Sequence, residues 1–264
     1  MFRMKPKTEE LLYHMFWLGD RFMRPTFRNL TDSFEAWAYR NGLTRQLAEL
    51  ARRQLLETKP GDAGETRVVR LTQAGRLHAI GGRDPDSRWD RSWDGRWRMV
   101  LFDLPVEQNA ARDSLRFQLR KRGFGRLQKS VWISPDPLNE ERALLDGCRV
   151  NVGSLLLLEA RPCAGESDEE IVAGAWDFAK INQAYSDHAE VLAARPTGPI
   201  SDETSACALR KWAEQERLAW RRAMEHDPLL PRRLLPTNYL GCKSWQERVR
   251  SFRKSAGQVH SFRS

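Results

Sequence analysis

The chain of 264 residues is poor in cysteine and lacks long apolar runs. Its four cysteines, Cys148, Cys163, Cys207 and Cys242, are far apart and form no C-x-x-C pair. This spacing argues against a zinc cage or a disulfide framework and favours a reducing cytoplasm. No stretch approaches the roughly 20 apolar residues of a membrane span, so we expect no membrane partner. The early segment LLYHMFWL is short and carries His14, which predicts a helix face rather than a signal peptide.

Catalytic signatures are also scarce. The five histidines show no metal-ligand spacing, and the sequence has no H-E-x-x-H, no G-x-S-x-G and no phosphate-binding glycine loop. The adjacent pair His226–Asp227 is poor evidence for acid–base chemistry, because neighbouring residues on a helix point in different directions. We therefore expect no catalytic residue, no metal and no cofactor, and a protein that is not an enzyme.

Positive charge is abundant and unevenly distributed. Residues 1–83 contain 15 basic and 9 acidic residues, a surplus of +6 within the total of +9. Residues 84–165 contain 14 and 12, and residues 166–264 contain 15 and 14. A localised surplus is typical of a module that binds a polyanion, since each neutralised phosphate releases counterions. Ordinary solvated surface charge is the alternative interpretation.

The middle of the chain predicts a ferredoxin-like layer. Its pattern indicates a strand at Trp97–Leu104, an amphipathic helix at about Glu107–Arg122 and a second strand at Ser130–Ser134. A short helix around 138–146 and a third strand at 154–159 follow, which completes a split βαβ arrangement. In the long helix the apolar positions recur every four residues, with the arginines elsewhere on the cylinder and two glycines expected to close its end. The residues concerned are Ala111, Leu115 and Leu119, then Arg112, Arg116, Arg120 and Arg122, then Gly123 and Gly125.

The N-terminal third predicts a winged helix-turn-helix. A helix at 8–18 and a helical region at 33–54 precede two β-prone runs around a Pro/Gly/Asp tip, which indicate a hairpin. LTQAGRL follows, where Thr72 is expected to cap a short helix. In such a module one helix enters the major groove while the hairpin contacts the backbone. The predicted DNA-contacting residues are Arg40, Asn41, Thr44, Arg45, Arg52 and Arg53 at the recognition helix, with Lys59, Arg67 and Arg70 on the wing.

The C-terminal third is predicted to be mostly helical. Polar segments at 81–92 and 161–170 divide the chain into predicted domains at 1–83, 93–162 and 168–264, and the fold class is α+β. Val172, Trp176, Ala179 and Tyr185 recur at helical intervals, and a later helix is expected to stop before Pro228. Most tryptophans are expected in core and interface packing rather than in a ligand cage.

Several motifs resemble one bacterial family. WDGRW, VLFDLP, RGFG and QKSVWISP closely resemble the middle domain of the phenylacetate-degradation repressor family, PaaX. Trp176-Asp177, Trp220-Arg221, HDPLLP and RRLLP resemble its C-terminal part, with Tyr239 where many members carry Trp. The resemblance is strongest from Trp93 onward and weakest over residues 24–45. It leaves the start of the recognition helix open, as early as Tyr39.

The resemblance to PaaX implies a transcriptional regulator. A member of this family is expected to be a repressor that binds double-stranded operator DNA as a homodimer and is released by an acyl-coenzyme A effector. The first domain would then bind DNA, and the other two would dimerise and sense the effector. Coenzyme A phosphates would need several basic residues around a groove. The sequence offers Arg96, Arg98, Arg221, Arg222, Arg232 and Arg233 for this purpose.

Two alternatives stay open. The middle segment more distantly resembles the small ferredoxin-like nuclease of CRISPR adaptation, whose first-strand Asp corresponds to Asp103 and whose Q-x-S-V run corresponds to Gln128–Val131. Asp103 pairs across a dimer axis would then hold magnesium. However, Asp103 is the only carboxylate of that strand, and such a residue near a proline is also a common turn former. A winged-helix scaffold for protein partners would explain the fold but not the clustered charge.

Overall fold

The computed structural model describes residues 44–60, 67–75, 83–103, 109–138, 155–199 and 203–261. The chain divides into two compact units. One combines the N-terminal third with residues 195–214 and the segment from Glu247 onward, and the other combines Pro85–Ala194 with Gln215–Gln246. The mixture of helices with antiparallel strands confirms the predicted α+β class. The predicted domain boundaries stay predictions.

In the first unit a helix is followed by a β-hairpin. Helix α1 covers Thr44–Arg52, and strands β1 (Leu56–Pro60) and β2 (Arg67–Leu71) pair antiparallel with Leu56 opposite Leu71. The predicted hairpin is therefore present. The helix predicted at 8–18 and residues 33–43 of the next helical region lie outside the described residues, so the complete winged helix-turn-helix stays a prediction.

A small hydrogen-bonded junction holds α1 against the end of the hairpin. Gln54 ends the helix in the left-handed region with φ 57°, and the Leu55 N–H donates to the Leu50 carbonyl at 2.9 Å. The Thr72 hydroxyl donates to the Gln54 carbonyl at 2.8 Å and accepts from the Gly75 N–H at 3.0 Å, which confirms Thr72 as a helix cap. A Cβ on Gly75 would overlap the Leu55 carbonyl oxygen, so the L-T-x-x-G motif needs glycine there.

The second unit contains a four-stranded sheet. Its elements are helix α2 (Pro85–Trp89), strand β3 (Trp97–Phe102), helix α3 (Asn109–Lys121), and strands β4 (Gly125–Gln128), β5 (Val131–Ser134) and β6 (Leu155–Ala160). The strand order is β4-β5-β3-β6 and every neighbouring pair is antiparallel. This is the order of a split βαβ, ferredoxin-like layer. The helix predicted around 138–146 lies outside the described residues from 139 on.

Helix α3 packs its apolar side on one face of this sheet. Leu115 and Leu119 are buried with Val100, Phe102, Phe124 and Trp132 in one core cluster. Gly123 has φ 86° and ends the helix, as predicted.

The prediction that Gly125 also closes α3 is wrong. Gly125 begins β4, an edge strand that the sequence did not reveal because it is short and carries Arg126. A Cβ on Gly125 would overlap the ring of Trp176, so this glycine is needed for close packing on the other face of the sheet.

Helices form the rest of the described chain. They are α4 (Asp168–Ala175), α5 (Phe178–Ala193), α6 (Glu203–His226) and α7 (Gly241–Ser261), with a 3₁₀ turn at Arg232–Leu234. Helix α6 ends before Asp227-Pro228, as predicted. The periodic run from Val172 is broken at Trp176 because Asp177 accepts the Lys180 N–H and starts α5, and Ala179 is exposed rather than buried. No helix among the described residues is long and apolar enough to cross a bilayer.

Substituting Gly75→Ala should destabilise the first unit. The new methyl group meets backbone rather than a flexible side chain, so we expect a loss of about 1–3 kcal/mol in the free energy of unfolding. Urea denaturation followed by circular dichroism measures this loss. Gly198→Ala is the matched control, since nothing lies within 4 Å of its Cβ position. Equal stability of the two variants would contradict the close approach at Leu55.

Candidate nucleic-acid interface

Helix α1 presents a basic face with small side chains between the arginines. Arg45, Ala48, Ala51 and Arg52 are exposed, and Leu50 is fully buried. The Arg52 side chain is 74% exposed to solvent. Alanines on the exposed face leave room for the helix backbone to come close to a groove. The arrangement suits a helix that inserts between phosphates with an arginine at each end.

A carboxylate on the same helix controls two of its arginines. Glu49 accepts from Arg52 at 2.8 Å and from Arg53 at 2.6 Å. These two hydrogen bonds hold the pKa of Glu49 below its ordinary value. Arg45 has no ion pair with any residue that the structure describes. Arg45 is therefore available for an outside anion, whereas Arg52 and Arg53 have to exchange Glu49 for one.

The hairpin carries the predicted wing residues. The register places Lys59 opposite Val68, Pro60 opposite Arg67 and Glu57 opposite Arg70. Arg45, Arg52 and Arg53 thus belong to α1 and its end, while Lys59, Arg67 and Arg70 belong to β1 and β2. Thr44 is the first residue of α1. Arg40 and Asn41 lie outside the described residues.

Asp103 directly follows β3 and is exposed. Among the residues that the structure describes, no group of three or more His, Cys, Asp or Glu side chains is placed to hold a metal ion. No observation on the described chain therefore singles out Asp103 as a metal ligand.

Two of the arginines considered for an effector meet at one carboxylate. Arg98 is buried, with its side chain 5% exposed, and its two terminal nitrogens contact the Asp94 carboxylate at 2.7 and 2.6 Å. This pairing lowers the pKa of Asp94 to about 2. Glu159 accepts from Arg96 at 2.9 Å and lies 3.3 Å from Arg98. The charge of Arg98 is thus neutralised by Asp94 and Glu159, and the residue has a structural role within the domain.

The other arginines considered for an effector are distributed over the C-terminal half. Arg232 is held by Asp90 at 2.6 Å, and the Arg233 guanidinium lies 5.7 Å from the ring centre of Trp93. Arg222 is exposed on α6, and Arg221 lies next to it and is partly buried. Glu159 thus joins Arg96 with Arg98, whereas Arg232 and Arg233 contact Asp90 and Trp93.

Two buried polar networks went unnoticed in the sequence. The Asp227 carboxylate is 1% exposed and accepts from the Tyr185 and Tyr239 hydroxyls and from the Leu229 N–H. His188 and Glu216 are both fully buried and lie 2.9 Å apart. The sequence alone did not reveal the partners of Asp227, since they are 42 and 12 residues away along the chain. His226 is exposed, whereas the Asp227 carboxylate is buried.

The layer topology and two sequence comparisons agree on the class of protein. Strands β3 to β6, with α3 between the first two and the order β4-β5-β3-β6, have the arrangement of a ferredoxin-like layer. The family model of the PaaX protein central Cas2-like domain matches residues 90–172, and that of the PaaX-like protein C-terminal domain matches residues 176–263. The chain belongs to the PaaX-like family.

A solved structure shares the fold. The uncharacterized protein Rv0674 from Mycobacterium tuberculosis is 21% identical over 85% of each chain, with a TM-score of 0.53. At this identity the likeness concerns the fold alone. A comparison with curated proteins gave no match.

Substituting Tyr239→Phe should lower the stability of the protein, because the buried Asp227 carboxylate loses a hydrogen-bond donor. The variant loses one donor to that carboxylate, so we expect about 1–3 kcal/mol lower free energy of unfolding near neutral pH. Burial, and next the charge of Asp227, raise the pKa of Tyr239 above its ordinary value. The folded protein therefore keeps this proton while the unfolded chain releases it above about pH 10, and stability falls as pH rises there.

The Phe variant should lose less stability between pH 8 and 10.5 than the natural chain, because it has no hydroxyl to titrate at this position. Urea unfolding at both pH values measures the difference. An identical decline in the two proteins would contradict the protonated Tyr239–Asp227 contact.

Proposed function

We propose that the protein is a DNA-binding transcriptional regulator whose N-terminal module contacts duplex DNA. The observation that carries the proposal is the exposed arginine face of α1 directly preceding a β-hairpin. Both lie in the segment that holds a surplus of +6 charges. Membership of the PaaX-like family supports the same function. The proposal assigns no catalytic role to any residue.

In this proposal α1 is the recognition helix. Arg45 lies in its first turn, where recognition helices usually contact base edges, and an arginine can donate two hydrogen bonds to guanine. Arg52 and Arg53 at the other end would contact phosphates after leaving Glu49. Lys59, Arg67 and Arg70 of the hairpin would contact the backbone beside the groove, which sets the position of the helix.

The regulatory part of the proposal follows from symmetry and linkage. A homodimer formed through the ferredoxin-like domain would present two recognition helices to a palindromic operator. An acyl-coenzyme A effector would release the DNA only by binding more tightly to the conformation that does not fit the operator. Repression is then the state without effector.

Replacing Arg45 and Arg52 together by Ala should weaken operator binding without unfolding the protein. Each lost contact to a base or phosphate reduces affinity, and we expect a decrease of about tenfold or more in gel shift with the DNA upstream of the gene. Arg161→Ala with Lys180→Ala removes the same charge from exposed positions elsewhere and should bind like the natural chain. Unchanged affinity of the first variant would remove α1 from the interface.

Replacing Glu49 by Gln should strengthen DNA binding. The change frees Arg52 and Arg53 and removes a negative charge that faces the phosphates, so affinity should rise by about two- to fivefold. The dependence of log K on log salt should also become steeper, because additional counterions are released. Fluorescence anisotropy at several salt concentrations measures both. If affinity instead falls, Glu49 itself contacts a base, such as the amino group of cytosine, and its restraining role is refuted.

A further inference from the structure

A second concentration of positive charge lies in the ferredoxin-like domain. Residues 109–130 contain seven basic residues and one acidic residue, a net charge of +6. The other 60 residues of segment 84–165 contain 7 basic and 11 acidic residues, which conceals this surplus in the domain total. The α3–β4 basic surface is defined here by Arg112, Arg116, Arg120, Lys121, Arg122, Arg126 and Lys129.

Helix α3 arranges part of this charge in a row. Arg112, Arg116 and Arg120 are spaced by four residues, which places them about 6 Å apart along the helix axis. Leu115 and Leu119 precede two of them by one position and are buried against the sheet. The row therefore runs along the border of the packed face, and Arg120 is exposed at its end.

Strand β4 brings further cations to the same end of the helix. Arg126 pairs with Trp132 in the register, and cross-strand partners point to the same face of a sheet. Trp132 packs with Leu119 on the α3 side, and the Arg120 guanidinium lies 5.8 Å from its ring centre. The register therefore places Arg126 on the face of the sheet where Arg120 lies over Trp132, and Lys129 is exposed in the turn between β4 and β5.

Four cations of this surface differ from the other arginines of the domain in having no carboxylate partner among the described residues. Arg88 and Arg91 bind Asp136, Arg96 binds Glu159, and Arg98 binds Asp94. By contrast, Arg120, Lys121, Arg126 and Lys129 have no ion pair with any residue that the structure describes. The single acidic residue of the segment, Asp113, lies 3.7 Å from Arg116. Charge that is clustered and not neutralised internally is suited to an outside polyanion.

An exposed aromatic ring lies within the same surface. Phe117 is 59% exposed, and it lies on α3 between Arg116 and Arg120 in sequence. Phe117 belongs to no described core cluster and contributes little to folding from this position. An apolar ring among cations is typical of nucleic-acid surfaces, where it contacts sugars or bases beside the phosphates.

We propose that the α3–β4 basic surface binds the phosphate backbone of duplex DNA, as a second contact separate from the N-terminal helix and hairpin. A duplex carries one phosphate per about 1.7 Å of its axis, so the four cations without an ion pair, Arg120, Lys121, Arg126 and Lys129, can contact several phosphates at once. The contact is independent of sequence, since the exposed members are lysines and arginines on a convex helix and an edge strand. This second contact would involve phosphates outside the operator half-site that α1 contacts in the proposed function.

The test measures salt-dependent binding of the full-length chain to a duplex of about 40 base pairs that lacks the operator. The surface variant carries Arg120→Gln, Arg126→Gln and Lys129→Gln. The slope of log K against log salt should decrease by about 2 to 3, because each lost phosphate contact contributes roughly 0.9. The matched control, Arg161→Gln with Lys180→Gln and Arg253→Gln, removes the same charge from exposed positions and should keep the natural slope.

A second variant distinguishes the loss of a phosphate contact from the loss of the fold. Arg126→Gln with Lys129→Gln leaves the Arg120–Trp132 contact intact, and its slope should still decrease by about 1 to 2. Thermal unfolding of both variants shows whether the fold is kept. The proposal is overturned if the surface variants keep the natural slope, if the control loses as much, or if the natural chain does not bind this duplex at low salt.

The same titration with the Arg45→Ala and Arg52→Ala variant separates this proposal from the proposed operator recognition. Loss of operator preference in that variant, with the slope on the non-operator duplex largely kept, supports two separate contacts. If the surface variant loses slope while the helix variant keeps full operator affinity, the second contact stands and recognition by α1 fails. If the surface variant keeps the natural slope on the non-operator duplex, the basic surface does not bind DNA and the proposal is wrong.

Discussion

The packing of α3 on the central strands is the interaction on which the ferredoxin-like domain depends. Leu115 and Leu119 lie against Val100 and Trp132, and this contact fixes both the sheet and the direction in which the arginines of α3 point. A helix buries only one side, so securing the apolar stripe necessarily presents the basic row at its border. The same burial that makes the domain stable therefore exposes its charge. We therefore expect substitutions in this core to shift α3 and, with it, the arginines of the basic surface.

The position of carboxylates decides what each arginine of this protein can do. Arg98 lies between Asp94 and Glu159 and is part of the architecture, because a buried cation needs close partners. Arg52 is exposed but held by Glu49, so an incoming phosphate has to displace a neighbour. Arg120 rests on an aromatic ring and keeps its charge available. Arginine therefore has three different situations in this protein: a buried ion pair at Arg98, an exposed ion pair at Arg52, and an exposed side chain over an aromatic ring at Arg120.

Much of the fold could be predicted from the sequence because it follows local rules. The alternating run of β3, the four-residue spacing of α3 and the Thr72 cap are encoded within a few residues of each other. Strand β4 was missed because four residues with a charged side chain carry little periodic signal, and only pairing with β5 makes them a strand. Gly125 was misassigned for the same reason, since its need for glycine comes from Trp176, far along the chain. The partners of Asp227 were equally invisible.

For the candidate sites, the sequence shows where positive charge is concentrated, but it does not show which of these charges are neutralised by ion pairs. Net charge over a whole segment predicts a DNA contact for the N-terminal module, but the same measure gives only a small surplus over residues 84–165, which contain 14 basic and 12 acidic residues. Among the described residues of that segment, Asp94, Asp136 and Glu159 pair with one group of arginines, whereas Arg120, Lys121, Arg126 and Lys129 have no ion pair. A count over about 20 residues would have revealed the surplus of α3 and β4, although not its availability. Availability depends on distances of a few ångströms between residues such as Arg98 and Asp94, and these are set by the sheet and not by the sequence alone.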